Sequence, residues 1–580
     1  MSGHLGFLET DFQILIAKIN HETIMLSGIV AVSVLIFCIF ISINHFRSKR
    51  GGQITLPAIA DQSGAPGPEH RDPKDAPAVI THAVIKDLVS CAQSKAVPLA
   101  PLQSVLTKLI DAGVPEADIP NRLLAAADQL EALRSSLAHW QNEGPGHAQI
   151  RSEALAWVDR GDFESASEVL RRGREAGWTF PVATCREEAE FFAREAMIDH
   201  LQLRFCAAAE NYAAAAALVA DGDGKEAWHF LIKQARELYE DAREFGTREN
   251  VLHAIEIYHR ALGLIGCEQS PLDWAATKRH LGDALLLLAE CDRETEPLRE
   301  AVDAYLATLE ECTRERAPLE WARAQYNLGN ALQLLGEQEN DPERLRQAAE
   351  AYRAALAECT SETAPFEWAQ AYNRLGDTLA ILGIEEADGE RLKEAVNAYR
   401  DALEGVDREL APLDWAMTQN NLGKALEALG ESETGTGLLH QAVAAYQAAL
   451  EERCRELAPS NWATTNTNLG NALVAIAERE NDNSMLEKAA SAYRASLAAR
   501  PEVEAPLDTA KTNINLAYTL GALWNRTRDR RALDEALCAV EAALSLIKDL
   551  GVQEHIPAAE LARKTILAAM GHREPRASTA

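Results

Sequence analysis

Patterns that build catalytic, metal or disulfide sites are scarce in this sequence. It has 10 cysteines among 580 residues and no CxxC pair. Cysteines scattered in this way are typical of small buried residues in a reducing compartment, and they disfavour a disulfide framework or a zinc site. The patterns GxxxxGK[ST], strand-linked GxGxxG, HExxH and GxSxG are absent as well. We therefore predict no catalytic residue, no metal ligand and no cofactor.

Positive charge is also scarce. The chain carries 57 lysines and arginines against 88 aspartates and glutamates, a formal net charge of -31. Such a chain repels phosphate backbones, so nucleic acid is excluded as an expected partner. We interpret most of the acidic residues as the solvated outer faces of helices. The alternative is a basic protein or peptide partner, attracted by the excess of negative charge.

A long run without charge does occur near the N-terminus. Every residue from Ile24 to Ile43 is apolar or small, and about 20 helical residues cross a hydrocarbon core of roughly 30 Å. A buried core helix would be expected to carry a polar face, and a signal peptide would have a basic start and a small-residue cleavage site. We predict a short segment at 1–23 followed by a transmembrane helix at 24–45.

The cations beside this run predict its orientation. Arg47, Lys49 and Arg50 follow the run, whereas Lys18 alone precedes it. By the positive-inside rule, the bulk of the chain then lies in the cytoplasm. We expect a single-pass membrane protein with a cytoplasmic C-terminal region.

Residues 46–78 combine this basic flank with a segment that disfavours helices. Its glycines and prolines are Gly51, Gly52, Pro57, Gly64, Pro66, Gly67, Pro68, Pro73 and Pro77. This composition predicts a flexible linker that lets the following region sample a shell near the membrane.

From about residue 225 onward, one pattern returns every 47 residues. It is carried by tryptophans (Trp274, Trp321, Trp368, Trp415 and Trp462), by glycines that follow leucine (Gly282, Gly329, Gly376, Gly423 and Gly470) and by tyrosines (Tyr258, Tyr305, Tyr352, Tyr399, Tyr446 and Tyr493). Three independent markers in one frame indicate a solenoid in which each unit contacts its neighbours.

Each unit has the apolar spacing of two helices. The first stripe consists of Leu328, Ala331, Leu332 and Leu335, at i, i+3, i+4 and i+7. The segment from Leu345 to Leu356 repeats this spacing, which is that of an amphipathic helix. We predict an all-α fold, an α-solenoid of stacked helical hairpins with one transmembrane helix before it.

The repeated glycine lies inside the first predicted helix, where glycine costs about 1 kcal/mol relative to alanine. That cost is tolerated where a missing side chain lets another helix approach closely. Gly423→Leu is therefore expected to overpack the contact and to cost roughly 1 to 3 kcal/mol. We interpret the repeated tryptophans as packing between repeats rather than as ligand cages.

These letters resemble the tetratricopeptide repeat. The matching positions are Leu328, Gly329, Gly336, Ala348, Tyr352, Ala355 and Leu356. The usual unit has 34 residues, whereas this one has a longer hairpin turn and a longer connection. The resemblance covers roughly residues 225 to 550 and implies a superhelix, here a long-unit bacterial-type array behind a membrane anchor. It says almost nothing about the ligand.

The remaining boundaries follow from where this frame is kept. Residues 79–223 are helical in pattern but out of frame, and we predict a divergent extension of the array, with a separate small domain at 79–145 as the alternative. Residues 224–550 hold about seven regular units with degenerate ends, as capping requires. A closing helix is expected at 551–571, followed by a loose tail at 572–580.

Binding candidates come from the resemblance, because in that family the first helix of each unit lines the concave surface. The candidates are Arg279, Asn327, Asn330, Arg374, Asn421, Lys424, Asn468 and Asn471. Alternatively, the asparagines hydrogen-bond to one another or to backbone and so fix the superhelix. Chaperone-binding relatives hold a peptide carboxylate at such positions, but Asp283 and Gln370 depart from that clamp, so we do not predict it.

Taken together, the sequence favours a membrane-anchored scaffold that is not an enzyme and binds a protein or an extended peptide in its groove. The alternative is a sensory or regulatory module, in which a peptide or a small molecule changes the curvature of the solenoid. Catalysis by a mechanism without a recognisable motif is the least favoured hypothesis.

Overall fold

The computed structural model describes residues 88–571, apart from 90, 93, 115–118, 139–144, 176–184, 221–223, 293, 363, 409–410, 456–457, 500–504 and 553–555. The predicted segment at 1–23, the span at 24–45, the linker at 46–78 and the tail at 572–580 lie outside the described residues. Within the described part, no helix has both the length and the apolar character needed to cross a membrane.

The chain divides into two compact units, residues 1–99 and residues 100–580. The described residues, nearly all of them in the second unit, form 21 helices and no strand, which confirms the predicted all-α repeat fold. The first six helices are α1 (Leu99–Asp111), α2 (Ile119–Ala138), α3 (Pro145–Asp159), α4 (Phe163–Glu175), α5 (Cys185–Leu201) and α6 (Phe205–Val219).

The remaining helices form successive hairpins and one closing helix. They are α7 (Gly224–Phe245), α8 (Arg248–Leu262), α9 (Pro271–Asp292), α10 (Thr295–Glu311), α11 (Pro318–Glu339), α12 (Pro342–Leu356), α13 (Pro365–Glu385), α14 (Gly389–Gly405), α15 (Pro412–Ser432), α16 (Gly437–Glu452), α17 (Pro459–Glu480), α18 (Asn483–Ala499), α19 (Pro506–Thr527), α20 (Arg530–Leu550) and α21 (Ile556–Ala569). Each odd-numbered helix from α7 to α19 packs against the helix that follows it.

Proline fixes where most first helices begin. From α9 onward, every first helix starts at a proline, each one 47 residues after the previous start. The fixed φ of proline suits the first helical turn, and its missing N–H is one that no helix could pair there. Some second helices have side-chain caps: Asp341 accepts a hydrogen bond from the backbone N–H of Glu343, and Asp388 accepts from those of Glu390 and Arg391, whereas α8, α10 and α16 have none.

Inside each regular hairpin, the repeated glycine accommodates the ring of the repeated tyrosine. A Cβ atom at the glycine would lie within 2.7 Å of that ring, closer than the contact distance of about 3.5 Å between carbon atoms. The pairs are Gly282 with Tyr305, Gly329 with Tyr352, Gly376 with Tyr399, Gly423 with Tyr446 and Gly470 with Tyr493. All of these tyrosines are buried, so the glycine position is required by a ring from the paired helix.

Stacking joins the hairpins into one array. Each second helix packs against the first helix of the next hairpin, and successive first helices also contact each other. Between hairpins, Ala322, Ala355 and Cys359 form a buried cluster against which Trp321 and Trp368 pack. A single cluster of buried side chains extends from Ala189 in α5 to Ile566 in α21.

The last hairpin and the closing helix have a different interior. Ala517 and Val540 occupy the glycine and tyrosine positions of α19 and α20, and both are buried. Helix α21 packs on both helices of that hairpin, and it buries Ala559, Ala562 and Ile566. The end of the array is thus covered by a helix that lacks the repeat's own pattern.

Candidate binding face

The first helices place two polar side chains per hairpin on one surface, one on each side of the buried Leu-Gly pair. We call this surface the first-helix face and define it by His280, Asp283, Asn327, Asn330, Arg374, Asp377, Asn421, Lys424, Asn468, Asn471 and Asn515. The two positions of a hairpin are three residues apart, so their side chains are neighbours on the helix. All of these side chains are half-buried or exposed.

Three junctions between hairpins are held by a three-residue node of hydrogen bonds. Tyr399 donates from its hydroxyl to Asp377 Oδ1 at 2.7 Å, and Asn421 donates from Nδ2 to the same oxygen at 2.9 Å. The equivalent nodes are Tyr305 and Asn327 on Asp283, and Tyr493 and Asn515 on Asn471. Each node joins both helices of one hairpin to the first helix of the next.

The junction after α11 and α12 lacks the complete node. Tyr352 donates to Asn330 Oδ1 at 2.8 Å and to Gln333 Oε1 at 3.0 Å. The next hairpin, however, presents Arg374, whose side chain is 49% exposed and lies 4.0 Å from the nearer oxygen of Asp377. Arg374 also hydrogen-bonds to Tyr326 of α11, but half of its side chain stays exposed, so this junction leaves a cation accessible on the face.

The junction after α15 and α16 also departs from the node, because Lys424 cannot accept a hydrogen bond. Tyr446 donates to Glu427 Oε2 at 2.7 Å instead. Asn468 donates from Nδ2 to Asn420 Oδ1 at 3.1 Å, and Asn420 lies four residues before the usual acceptor position at Lys424. Lys424 itself is exposed, so complete nodes alternate along the face with junctions that expose a cation.

These contacts place the predicted binding residues in two groups. The amide side chains of Asn327, Asn330, Asn421, Asn468 and Asn471 all take part in hydrogen bonds within or between hairpins. This is the arrangement that the alternative interpretation of the asparagines describes. A ligand role for these residues stays a prediction.

The predicted cations also fall into two groups, one paired within the array and the other exposed. Arg279 forms an ion pair with Asp283 at 3.2 Å, and both side chains are largely covered. Arg374 and Lys424 are exposed. Of the predicted residues, these two offer their charges to a ligand most directly.

Glu427 lies three residues after Lys424 on α15 and has a raised pKa. Burial, together with the charge of Glu431, raises the pKa of its carboxyl to about 7. The hydrogen bond from Tyr446 and the charge of Lys424 act in the opposite direction. The carboxyl therefore changes its charge near neutral pH.

Two other acids report how closely the first helices lie together. Burial raises the pKa of Asp377, and the charges of Arg374 and Lys424 oppose this rise. Burial raises the pKa of Glu290 in α9, and Arg374 in α13 opposes it from two hairpins further along. Side chains of non-adjacent hairpins thus influence one another across the face.

Sequence reasoning missed two cations in the hairpin that precedes this face. Lys233 and Arg236 in α7 lie 47 residues before His280 and Asp283, so they occupy the same two positions in the first hairpin. The repeat frame could have identified them, but Trp228 lies one residue out of frame and obscured the register. Both residues line a cleft of about 360 Å³.

The repeated tryptophans lie near the starts of first helices and are half-buried. A guanidinium lies over the ring of Trp321 (Arg314, 5.9 Å) and over that of Trp415 (Arg408, 4.4 Å). Gly405 is tightly packed against the ring of Trp368. Arg314 and Arg408 lie in the connections between hairpins, and Trp368 also packs against the buried cluster of the preceding hairpin.

The geometry defines an all-helical repeat protein built from stacked helical hairpins. No protein-family model matches the chain, and no curated protein matches it. Among solved structures, the C-terminal part of a TPR repeat-containing protein from Cytophaga hutchinsonii is 14% identical; the match covers 56% of this chain and 98% of that one with a TM-score of 0.35.

Two further solved structures are also similar to this chain. The apo form of RapI is 14% identical over 73% of this chain and 98% of its own, with a TM-score of 0.35. The TPR2AB domain of yeast Sti1 in complex with pHSP90 is 18% identical over 57% of this chain and 98% of its own, with a TM-score of 0.19. All three scores lie below 0.5, so the class assigned here rests on the hairpins themselves.

Proposed function

We propose that this chain is a membrane-anchored scaffold, without catalytic activity, that binds a protein or an extended peptide along the first-helix face. The observation that supports this most is the continuity of that face. The nodes fix neighbouring first helices, so the polar row is preformed over several hairpins. A preformed surface loses little conformational freedom on binding, which favours affinity for an extended segment.

The charges of the face suggest the chemistry of the partner. Glu290, Glu337, Glu427 and Glu431 contribute acids to the first helices, whereas Arg374 and Lys424 are the exposed cations described above. The net charge of -31 would steer a basic segment toward the array. We propose a basic partner that also carries acidic side chains for the two cations.

The alternation of junctions favours a second candidate, a regulatory module. Junctions with a complete node share a single acceptor between two hairpins, whereas those at Arg374 and Lys424 use other acceptors and expose a cation. A peptide or small-molecule ligand that bound one of these cations would change the contact between neighbouring hairpins there. Such a ligand would alter curvature without unfolding the array.

The binding face is tested by photocross-linking in intact cells with the full chain. A photoreactive amino acid is placed at Arg374 or Lys424 on the first-helix face, and at Lys393 or Arg400 on the second helix α14 as matched controls. We expect one shared protein adduct from the first two positions and none from the controls. Adducts of equal yield from both faces would contradict the proposal.

The proposed membrane topology has its own test, because Cys185, Cys291 and Cys538 are exposed. A membrane-impermeant maleimide is applied to intact cells and then to permeabilised cells. We expect labelling of the full chain only after permeabilisation, as for an array on the cytoplasmic side. Labelling in intact cells would reverse the proposed orientation.

A further inference from the structure

A cleft of about 360 Å³ lies at the N-terminal end of the array, outside the regular hairpins that form the complete nodes. Helices α1, α2, α5, α6 and α7 supply its walls. Its apolar lining includes Val105, Leu109, Ala126, Met197 and Phe205. A pocket of this size with an apolar wall and a few polar groups is typical of a small-molecule site.

Most charged groups of the cleft are already paired. His200 Nδ1 lies 2.8 Å from Glu237 Oε2, and Arg243 lies 2.6 Å from Glu240. Arg122 pairs with Glu244 at the end of α7. The two acids that line the cleft thus each have a partner, and they are outnumbered by the lining cations Arg122, Lys233, Arg236 and Arg243.

Two cations of the lining remain. Lys233 and Arg236 are three residues apart on α7, and within the described part of the chain neither has an ion pair or a hydrogen bond. The ammonium of Lys233 lies 5.6 Å from the centre of the Tyr212 ring. The hydroxyl of Tyr212, itself part of the lining, has no hydrogen-bond partner among the described residues either.

An unpaired ammonium next to apolar walls is unfavourable. Burial lowers the pKa of Lys233, the charge of Arg236 lowers it further, and the charge of Glu237 opposes this fall only in part. A bound anion would relieve both effects, because it restores a counter-charge and satisfies donors that water reaches only in part. Two donors on adjacent turns of one helix match the two oxygens of a carboxylate.

We propose that this cleft binds a carboxylic acid with a small apolar body. Its carboxylate lies between Lys233 and Arg236 within reach of the Tyr212 hydroxyl, and its apolar part lies against α1, α2 and α6. The acid is either a free organic acid or the terminal residue of a peptide, because both present the same groups. This site is independent of the partner proposed for the first-helix face.

The test uses the full chain and calorimetric titration with matched probes. Octanoate is compared with octanamide, and an N-acetylated tripeptide ending in leucine is compared with its C-terminal amide. We expect at least one acid to bind and its neutral counterpart to bind about ten-fold more weakly or not at all. The acid that binds shows whether the natural ligand is a free organic acid or the C-terminal residue of a peptide. Failure of both acids to bind would overturn the proposal.

Variants assign the binding to this cleft. Lys233→Gln combined with Arg236→Gln should lower the affinity for the acid by about ten-fold or more. Lys511→Gln, which replaces an exposed lysine of α19, should leave this affinity unchanged. Ala126→Phe should fill the apolar wall and also weaken binding. An affinity that survives both cleft variants, with circular dichroism unchanged, would place the acid elsewhere and refute the site.

Discussion

At the residue scale, the array depends on single oxygen atoms that accept two hydrogen bonds. Asp377 Oδ1 serves a buried tyrosine of its own hairpin and an asparagine of the next one. An asparagine fills the same role at Asn471, so the node requires an acceptor and no charge. A side chain at this position therefore couples packing inside one hairpin to spacing between two.

Asp377→Ala should lower the thermal midpoint, because it leaves the Tyr399 hydroxyl and the Asn421 amide without their acceptor. Each unsatisfied buried donor costs about 1 to 3 kcal/mol. Asp377→Asn keeps the acceptor and serves as the matched control, for which we expect a nearly unchanged midpoint. Equal midpoints for the two variants, measured by calorimetry, would show that the node contributes nothing.

A pair of glycines separates tight packing from helix propensity. A Cβ at Gly423 would lie 2.5 Å from the Tyr446 ring, whereas nothing lies within 4 Å of a Cβ at Gly521 in α19. Gly521→Ala should stabilise the fold by up to about 1 kcal/mol through helix propensity alone. Gly423→Ala should destabilise it, because overpacking costs roughly 1 to 3 kcal/mol. Chemical denaturation of both variants tests this contrast, and a stabilising Gly423→Ala would refute the packing role.

Glu427 should make stability depend on pH in one direction. Its folded pKa of about 7 lies above its ordinary value of 4.5, so the folded state binds a proton that the unfolded state releases between these values. Stability must then fall as pH rises from about 4.5 to about 7. Tyr446, Glu431 and Lys424 are the groups that act on this carboxyl.

Glu427→Gln removes this titration and can still accept from the Tyr446 hydroxyl. We expect the difference in thermal midpoint between the variant and the unchanged chain to be small at pH 4.5 and to grow in favour of the variant toward pH 8. Thermal melts across this range measure the difference. A difference that stays constant with pH would show that Glu427 is not buried as described.

Residue roles were harder to predict than residue positions. The 47-residue frame predicted which asparagines would lie together. It left open whether they bind a ligand or one another, since an amide can donate to either. Only the positions of Tyr399 and Asp377 around Asn421 show its hydrogen-bond partner.

At the scale of elements, the helices follow directly from the spacing of apolar residues and from the prolines at helix starts. Prolines mark the starts of first helices, and the apolar stripes predicted two helices per unit. The sequence could not show which group packs against the repeated glycine, because a missing side chain does not identify the group that approaches it. The tyrosine ring comes from the paired helix, 23 residues later in the chain.

Capping of second helices should contribute a measurable part of stability. Asp388 accepts from the backbone N–H groups of Glu390 and Arg391 at the start of α14. Asp388→Ala should therefore cost about 0.5 to 2 kcal/mol, whereas Asp388→Asn should cost far less because asparagine caps as well. Urea unfolding of both variants checks this expectation, and equal losses would argue against a capping role.

At the scale of the whole molecule, the array is a series of similar contacts between neighbours. Repeat proteins of this kind gain stability from each unit and from each interface with the next. The junctions here are unequal, since complete nodes alternate with junctions that expose Arg374 or Lys424.

The central claim is that neighbouring hairpins are joined through their first helices, so that the first-helix face is one preformed surface. Amide hydrogen exchange on the full chain, with and without Asp377→Ala, tests this most directly. The account predicts faster exchange in the two hairpins that Asp377 joins, α13–α14 and α15–α16, with α9 and α19 much less affected. A uniform increase over the whole array, or no change at the junction, would contradict it.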